Sequence, residues 1–405
     1  MSARHEAALA SLASVQTGPF GSQLHASDYE TVGVPVVMPQ DLGDNLISTS
    51  QIARVNASHV ARLSRHRLTP GDIVFSRRGD VTRRALVRQE NDGWLCGTGC
   101  LKVRPNAGVD AAFLSYAVST EDAREWLVSH SVGATMPNLN TEILGRLPLQ
   151  LPPLPEQQAI AEVLGALDDK IAANTKLATL ALQLVDDSFP TGTEDTATRL
   201  GVFVEVTKGV SYRSADLQEG ETALVTLKSV GRDGVYAEGG LKPYVGQFRP
   251  GQVVAEGEVV VAQTDLTQAA DVVGRAVRVP RSSNHQKLVA SLDLAIVRPR
   301  SGMDEIYLLG LLRQRRFREH CRSHTTGTTV LHLASGAIDA FEAQIVAVQE
   351  QRAYAATAGP LLWTIDAHNE QNRTLAATRD ALLPQLMSGK LRVRDAERRA
   401  AEAGA

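Results

Sequence analysis

The stretch SRRGDVTRR, from Ser76, places Arg77, Arg78, Arg83 and Arg84 around one turn that follows an apolar run. Two pairs of guanidinium groups on one loop suit clamping of phosphates or bidentate contact with guanine. A second stretch, TGPFGSQL from Thr17, is rich in turn residues. In it Gly18 and Gly21 would let backbone approach a phosphate, with Phe20 between them, and Ser22 and Gln23 can donate to phosphate or read a base edge. Further along, VTKGVSYRSADL offers Lys208, Ser211, Tyr212 and Arg213 in the corresponding place. LVTLKSV carries Lys228, and VAQTDLTQ carries Gln263, Thr264 and Gln268. Amide and hydroxyl groups after a strand suit adenine edges and phosphates. Arg62, Arg65 and Arg67 form a weaker set of phosphate contacts. The competing reading of all these segments is a plain surface loop or a solvated charge run. In RQRRFREHCR, Arg313, Arg315, Arg316 and Arg318 alternate around a helix and cannot all face one phosphate track.

Catalytic patterns do not emerge. There is no Walker glycine loop, no dinucleotide-type glycine fingerprint and no Asn-Pro-Pro-aromatic segment such as an adenine methyltransferase would use. The acid pairs Asp168-Asp169 and Asp186-Asp187 fall in a helical stretch and read as solvated or partner-facing. No aligned nucleophile, base and orienting group can be proposed. Cys96 and Cys100, in CGTGC, have no His or Cys cluster nearby and read as buried strand cysteines, not zinc ligands. With Cys321 they cannot build a disulfide framework. No bound metal or cofactor is expected of the chain itself.

Around these loops lie 405 residues, enough for two or more domains, with 43% hydrophobic and 21% charged residues, an ordinary globular composition. The apolar runs are far short of a membrane span and no signal sequence follows Met1, so a cytoplasmic location without membrane attachment is expected. A net charge of −3 argues against a generic polyanion binder. Its distribution argues otherwise. Nine arginines stand against two acids between Arg54 and Arg88, and eleven basic residues against four acids between Arg275 and Arg322. From Glu156 to Asp187 the balance reverses to six acids and two lysines. Basic patches separated by acidic stretches suit a chain that meets nucleic acid with some surfaces and protein with others.

The chain repeats itself. GDIVFS at Gly71 resembles GEVVVA at Gly257, and LKVRP at Leu101 resembles AIVRP at Ala295, 194 residues later. FLSYAVS at Phe113 and YLLGLLR at Tyr307, GATMPNLN at Gly133 and GTTVLHLA at Gly327, and PEQQ at Pro155 and QEQR at Gln349 share that offset of 194. Two tandem copies of one unit follow. VPVVMPQ, DIVFSRR and CLKVRP read as strands in the first copy; LVTLKSV, EVVVAQT and LAIVRP read as strands in the second. FLSYAVSTEDAREWLVSH reads as one amphipathic helix with Phe113, Tyr116, Ala117 and Trp126 on one side, and IYLLGLLRQRRFREH as its counterpart. Gly133 and Gly327 introduce turns, and His332 reads as a satisfied polar residue.

Each copy ends in a long helix. Pro155 suits a first helical position and Glu156 the positive helix start. Ile160, Leu164, Leu167, Ile171, Asn174, Ala178, Ala181 and Val185 advance by alternating steps of four and three, a coiled-coil seam with Asn174 as a polar register residue. From Glu156 to Asp187 such a helix would span ~48 Å. The second copy runs from about Glu350 to Leu386 and contributes Leu361 and Ile365; Pro360 should kink it or delay its start, and Pro384 and Gly389 should end it, with LRV free to add a strand.

LPPLPEQQAIAEVLGALDDKIAANTKL and TLAATRDALLPQLMSGKLRV resemble the two conserved helical regions of type I restriction-modification specificity subunits, and TGPFGSQLHASDYETVGVPVVMPQDL and PGDIVFSRRGDVTRRALV look like stretches of their target recognition domains. The resemblance covers nearly the whole chain, in order and twice. It implies an α+β fold: two mixed α/β recognition domains in tandem pseudo-twofold repeat, joined by two long antiparallel helices that form a coiled coil. The implied division is recognition domain 1 over 1–153, a helical spacer over 154–190, recognition domain 2 over 191–347, a second spacer over 348–393 and a flexible tail over 394–405. The implied function is non-catalytic. Each domain reads half of a split, asymmetric double-stranded DNA target and the coiled coil sets the spacing. The chain binds two methyltransferase subunits, which use S-adenosylmethionine, and through them restriction subunits that use ATP and Mg. The same scaffold in a methylation-only or other phage-defence complex is the alternative, and a protein-only scaffold a more distant one.

Overall fold

The run Ile73–Ser76 is apolar without alternation, which in a strand means that both faces are covered. In the computed structural model, which describes residues 4–43, 45–133, 136–192, 197–267 and 269–405, this is what happens. Ile73 and Phe75 point into one core and Val74 into another. Val259–Ala262 does the same, with Val259 and Val261 on one side and Val260 and Ala262 on the other. A period of two thus sorts one continuous apolar run into two cores.

The chain divides into two units, one of residues 1–173 and 371–405, the other of residues 174–370. The boundaries fall inside the two long helices, so each unit holds half of each helix; the sequence-based division had set the helices apart from the globular segments. In the first unit the central antiparallel sheet runs Ala13–Thr17, Cys100–Pro105, Ile73–Ser76, Arg84–Leu86. In the second it runs Val204–Lys208, Leu294–Pro299, Val259–Ala262, Ala276–Arg278, the same order. Each unit adds a smaller sheet with one parallel pair, Val34–Val37 with Leu95–Cys96 and Thr222–Val225 with Lys287–Ala290. The mixed α+β class and tandem arrangement read from the sequence are borne out.

The repeated motifs meet one another. Arg104 of LKVRP grips Asp72 of GDIVFS through two bonds, Nε to Oδ1 at 2.6 Å and Nη2 to Oδ2 at 2.7 Å. Arg298 of AIVRP grips Glu258 of GEVVVA in the same way. Gln157 of PEQQ is buried, donates to the Pro152 carbonyl at 2.9 Å and accepts from the Asp110 amide at 3.0 Å. Gln351 of QEQR is buried, donates to Val346 at 2.9 Å and accepts from the Asp304 amide at 2.9 Å. Asp110 and Asp304 in turn cap the helices Ala111–Ala117 and Glu305–Arg313. The glutamines therefore lock the start of each long helix to the start of a short one.

Each single amphipathic helix expected from sequence is two. Thr120 caps a second helix, Glu121–His130, after Ala111–Ala117. Likewise Arg315–Ser323 follows Glu305–Arg313. Phe113, Tyr116 and Ala117 are core residues, whereas Trp126 is half-buried and stacks on His130.

The first long helix spans Leu154–Asp187 and the second Val348–Met387. In the first unit Ile160, Leu164 and Leu167 share a core with Leu375, Leu382 and Leu386, and Ile171 packs against it. Arg4 bonds Glu156 and the carbonyl of Met387, and Arg379 meets Asp168, so these halves run antiparallel. In the second unit Ala178 and Val185 share a core with Ala358, Leu362 and Ile365, with Leu361 packed against it, and the Tyr354 hydroxyl donates to the Val185 carbonyl at 3.1 Å. Asn174 is buried, as its place in the seam requires. Pro360 neither delays nor ends the second helix. It is exposed, and buried Ala358 and Leu362 hold the turns on either side of it. Pro384 also lies within that helix.

The last residues are not a flexible tail and LRV adds no strand: Val393–Glu402 is a helix with Ala396 and Ala400 buried in the first unit's core. Three of the four paired acids are engaged within the chain, and Asp187 is exposed. Asp168 bonds Arg379 and Tyr116, Asp169 bonds Arg88, and Asp186 bonds Arg313. No helix among the described residues is long and apolar enough to cross a membrane.

Candidate nucleic-acid interface

A tight turn at Gly97–Gly99 sits between two strands of the first unit, and four segments converge on it. Gly97 donates to the Val37 carbonyl at 2.9 Å, Gly18 to Cys100 at 2.9 Å and Arg77 to Gly99 at 2.8 Å. Leu139 then donates to Arg77 at 2.9 Å and Gly79 to Pro137 at 3.1 Å. The loops after Thr17, Val37 and Ser76, and the residues Pro137 and Leu139, are thereby gathered at one end of the central sheet. Gly99 takes φ +83°, which suits glycine. Gly18 is buried against the turn, and a Cβ there would stand 2.0 Å from the Gly97 carbonyl oxygen. Its role is close backbone packing, not the phosphate approach expected of it.

Exposed on these loops are Phe20 (54%), Gly21, Ser22, Arg78 and, more partly, Gln23, Arg77 and Arg83. Gln23 accepts from the Phe20 amide at 3.1 Å, so its carbonyl end shapes its own loop. Arg62 reaches that loop by donating to the Gln23 carbonyl at 2.8 Å. Arg83 donates to the Gln40 carbonyl at 3.2 Å. Asn138 and Met136, which the sequence reading did not single out as contacts, join the group: Asn138 bridges Arg78, and Met136 is exposed. Arg84 is a correction. It is 7% exposed, donates Nε to the Ser115 carbonyl at 2.6 Å, and burial, helped by nearby Arg124, pulls its pKa down to about 10. Strand alternation turns Arg84 inward where Arg83 turns out.

The second unit repeats the frame with other side chains. Gly209 donates to Leu294 at 3.0 Å, Gln263 to Asp293 at 2.7 Å, Leu333 to Gln263 at 2.7 Å and Ser291 to Val225 at 2.9 Å. A Cβ on Gly209 would lie 2.0 Å from the Ser291 carbonyl oxygen, as at Gly18. Gln263 thus stands where Arg77 stands. Lys208, Ser211, Arg213 and Lys228 are exposed; Tyr212 is half-buried, with the Lys242 ammonium 5.7 Å from its ring centre. Thr264 is 5% exposed and pairs through its backbone with His332, so it is unavailable to a base edge. Gln268 lies outside the described residues. Asp265 and Asp80 are matched turn organisers, each accepting from a threonine two residues on.

The remaining arginines divide as their helix spacing required. Arg313 is spent on Asp186 and Arg318 on the Asp271 carbonyl, while Arg315 is exposed with Glu319. Cys96 and Cys100 are buried on strands, and burial pushes the Cys96 thiol up to about 12. Gly133 and Gly327 take φ +112° and +114°.

Residues 11–181 match the family described as the type I restriction modification DNA specificity domain. A protein of Methanocaldococcus jannaschii named for the specificity subunit of the type I restriction enzyme MjaX is 24% identical over 154 residues, 36% of this chain and 36% of that protein. The type I restriction enzyme HindI specificity subunit of Haemophilus influenzae is 28% identical over 111 residues, 26% of this chain and 24% of that protein. The alignments thus span about a third or less of each relative's own length. Among solved structures, the S subunit of a type I restriction-modification system from M. genitalium matches 95% of this chain and 96% of its own, with a TM-score of 0.59 and 15% identity, a likeness of fold. The resemblance to type I specificity subunits drawn from the sequence therefore holds, by sequence in the first half and by fold throughout.

Proposed function

We propose that this chain, with a type I DNA specificity domain over residues 11–181 and the fold of a type I S subunit, reads a split, asymmetric DNA sequence. Each unit would read one half-target, and the paired helices would set the spacer. The chain would hold two methyltransferase subunits, and through them restriction subunits; S-adenosylmethionine would be bound by the former and ATP with Mg by the latter. Catalysis would lie wholly with those partners, in the cytoplasm.

One observation carries this reading. The same backbone frame occurs twice, around Gly97–Gly99 and around Ser291–Asp293, and it carries Arg77 in one unit where the other carries Gln263. Equal frames with unequal side chains suit two half-sites of different sequence. Arg78, Arg83, Lys208 and Arg213 would supply phosphate contacts, and these set a salt dependence.

The test is genome-wide adenine methylation in a host carrying the chain with its methyltransferase subunit. A split motif that disappears when the chain is deleted is the expected result, and replacing residues 1–153 should change one half only. An active complex that marks no motif would sink the sequence-reading function and favour the protein-only scaffold. A motif that appears without restriction would identify the methylation-only complex.

A further inference from the structure

We propose that Gln40 and Lys228 are equivalent base-reading residues, one for each half of the target; this rests on the reading just given. Gln40 is the middle residue of the short turn Pro39–Asp41 after the strand Val34–Val37. Lys228 is the middle residue of Leu227–Ser229 after the strand Thr222–Val225. Both turns are closed by their third residue's side chain. Asp41 accepts from the Met38 amide at 2.8 Å and Ser229 from the Thr226 amide at 3.4 Å. Both strands end on the central turn, Val37 accepting from Gly97 and Val225 from Ser291, each at 2.9 Å. Both lie parallel to the strand that enters that turn, with Val37 opposite Cys96 and Val225 opposite Ala290. The backbone therefore delivers residues 40 and 228 to one place, and both side chains are exposed there.

What surrounds them fits a reading position. Arg83 donates to the Gln40 carbonyl, so a guanidinium that can hold a phosphate stands next to a free amide. Asp41 is buried beneath the turn and fixes it. The two side chains differ in the way that separates bases. A glutamine amide both donates and accepts, which matches the N6/N7 edge of adenine. A lysine ammonium only donates, which matches the O6/N7 edge of guanine. Sequence alone pointed to Lys228 but not to Gln40, because PQD shows no basic or aromatic signal.

The experiment uses the full chain in complex with its methyltransferase subunit, and reads the methylated motif by long-read sequencing. Gln40→Lys should change base tolerance about 10-fold at one position of one half, and Lys228→Gln at one position of the other half. If Gln40→Lys abolishes modification, Gln40→Ala decides: a loosened position supports the assignment. An unchanged motif with affinity reduced equally on all DNA, and a salt slope shallower by about one, identifies a phosphate contact and overturns it. A wild-type motif unmoved by either variant overturns the assignment alone. A wild-type complex that marks no split motif overturns the underlying reading and the assignment with it.

Discussion

The Tyr116 hydroxyl donates to Asp168 at 2.6 Å inside the first unit, joining a short helix of the globular part to the first long helix. Arg379, from the second long helix, holds the other oxygen of the same carboxylate at 2.7 Å. Burial, and then the neighbouring carboxylate, push the Tyr116 hydroxyl well above its usual range, so it stays a donor. Removing that donor leaves Asp168 paired, and Tyr116→Phe should cost about 1 kcal/mol. Asp168→Ala takes the acceptor from Tyr116 and leaves Arg379 with the exposed Asp380, and should cost more, about 2–3 kcal/mol. Denaturant unfolding of the full chain checks the order of the two.

Gln157 and Gln351 should be separable by unit. Leucine at either position leaves a part-buried backbone amide unpaired, that of Asp110 or of Asp304, at about 1 kcal/mol. Hydrogen exchange should then rise at Asp110 in Gln157→Leu and at Asp304 in Gln351→Leu, with no crossover between units.

Arginine neighbours should behave oppositely. Arg78→Ala, at an exposed loop position, should weaken DNA binding and flatten its salt dependence while leaving the melting temperature unchanged. Arg84→Ala removes a buried bond to Ser115 and should lower the melting temperature by several degrees. Binding titrations at two salt concentrations and a melting curve on each variant suffice.

Gly18 and Gly209 should not tolerate alanine, since the added carbon would sit 2.0 Å from a carbonyl oxygen in each unit. Gly21, with nothing within 4 Å, should accept it. A Gly18→Ala melt as stable as that of Gly21→Ala would contradict the packing described around the Gly97 turn.

His66 gives the first unit a pH dependence. Burial, followed by the charges of Arg65 and Lys102, lowers its pKa from 6.5 to about 4. Below pH 6.5 the unfolded chain takes up a proton that the folded chain refuses, so stability falls as pH drops from about 6.5 to about 4. His66→Gln should flatten melting temperature against pH in that window.

The tandem repeat, the strand motifs, the seam from Ile160 to Val185 and the pairing of exposed loops with arginines were legible in the chain, because they rest on local chemistry and periodicity. Asp72 and Arg104 even announced their partnership by recurring together as Glu258 and Arg298. The second long helix was half hidden, since His368, Asn372 and Arg379 interrupt its apolar seam and Pro360 mimics a stop. Only the tertiary structure decided that Arg84 turns inward while Arg83 turns out, that Gly18 serves the turn beside it, that Thr264 is covered, and that the chain's last helix is packed. Composition names the groups able to touch a nucleic acid. Which of them water can reach is settled by strand register and by neighbours distant in sequence, and no local pattern carries that information.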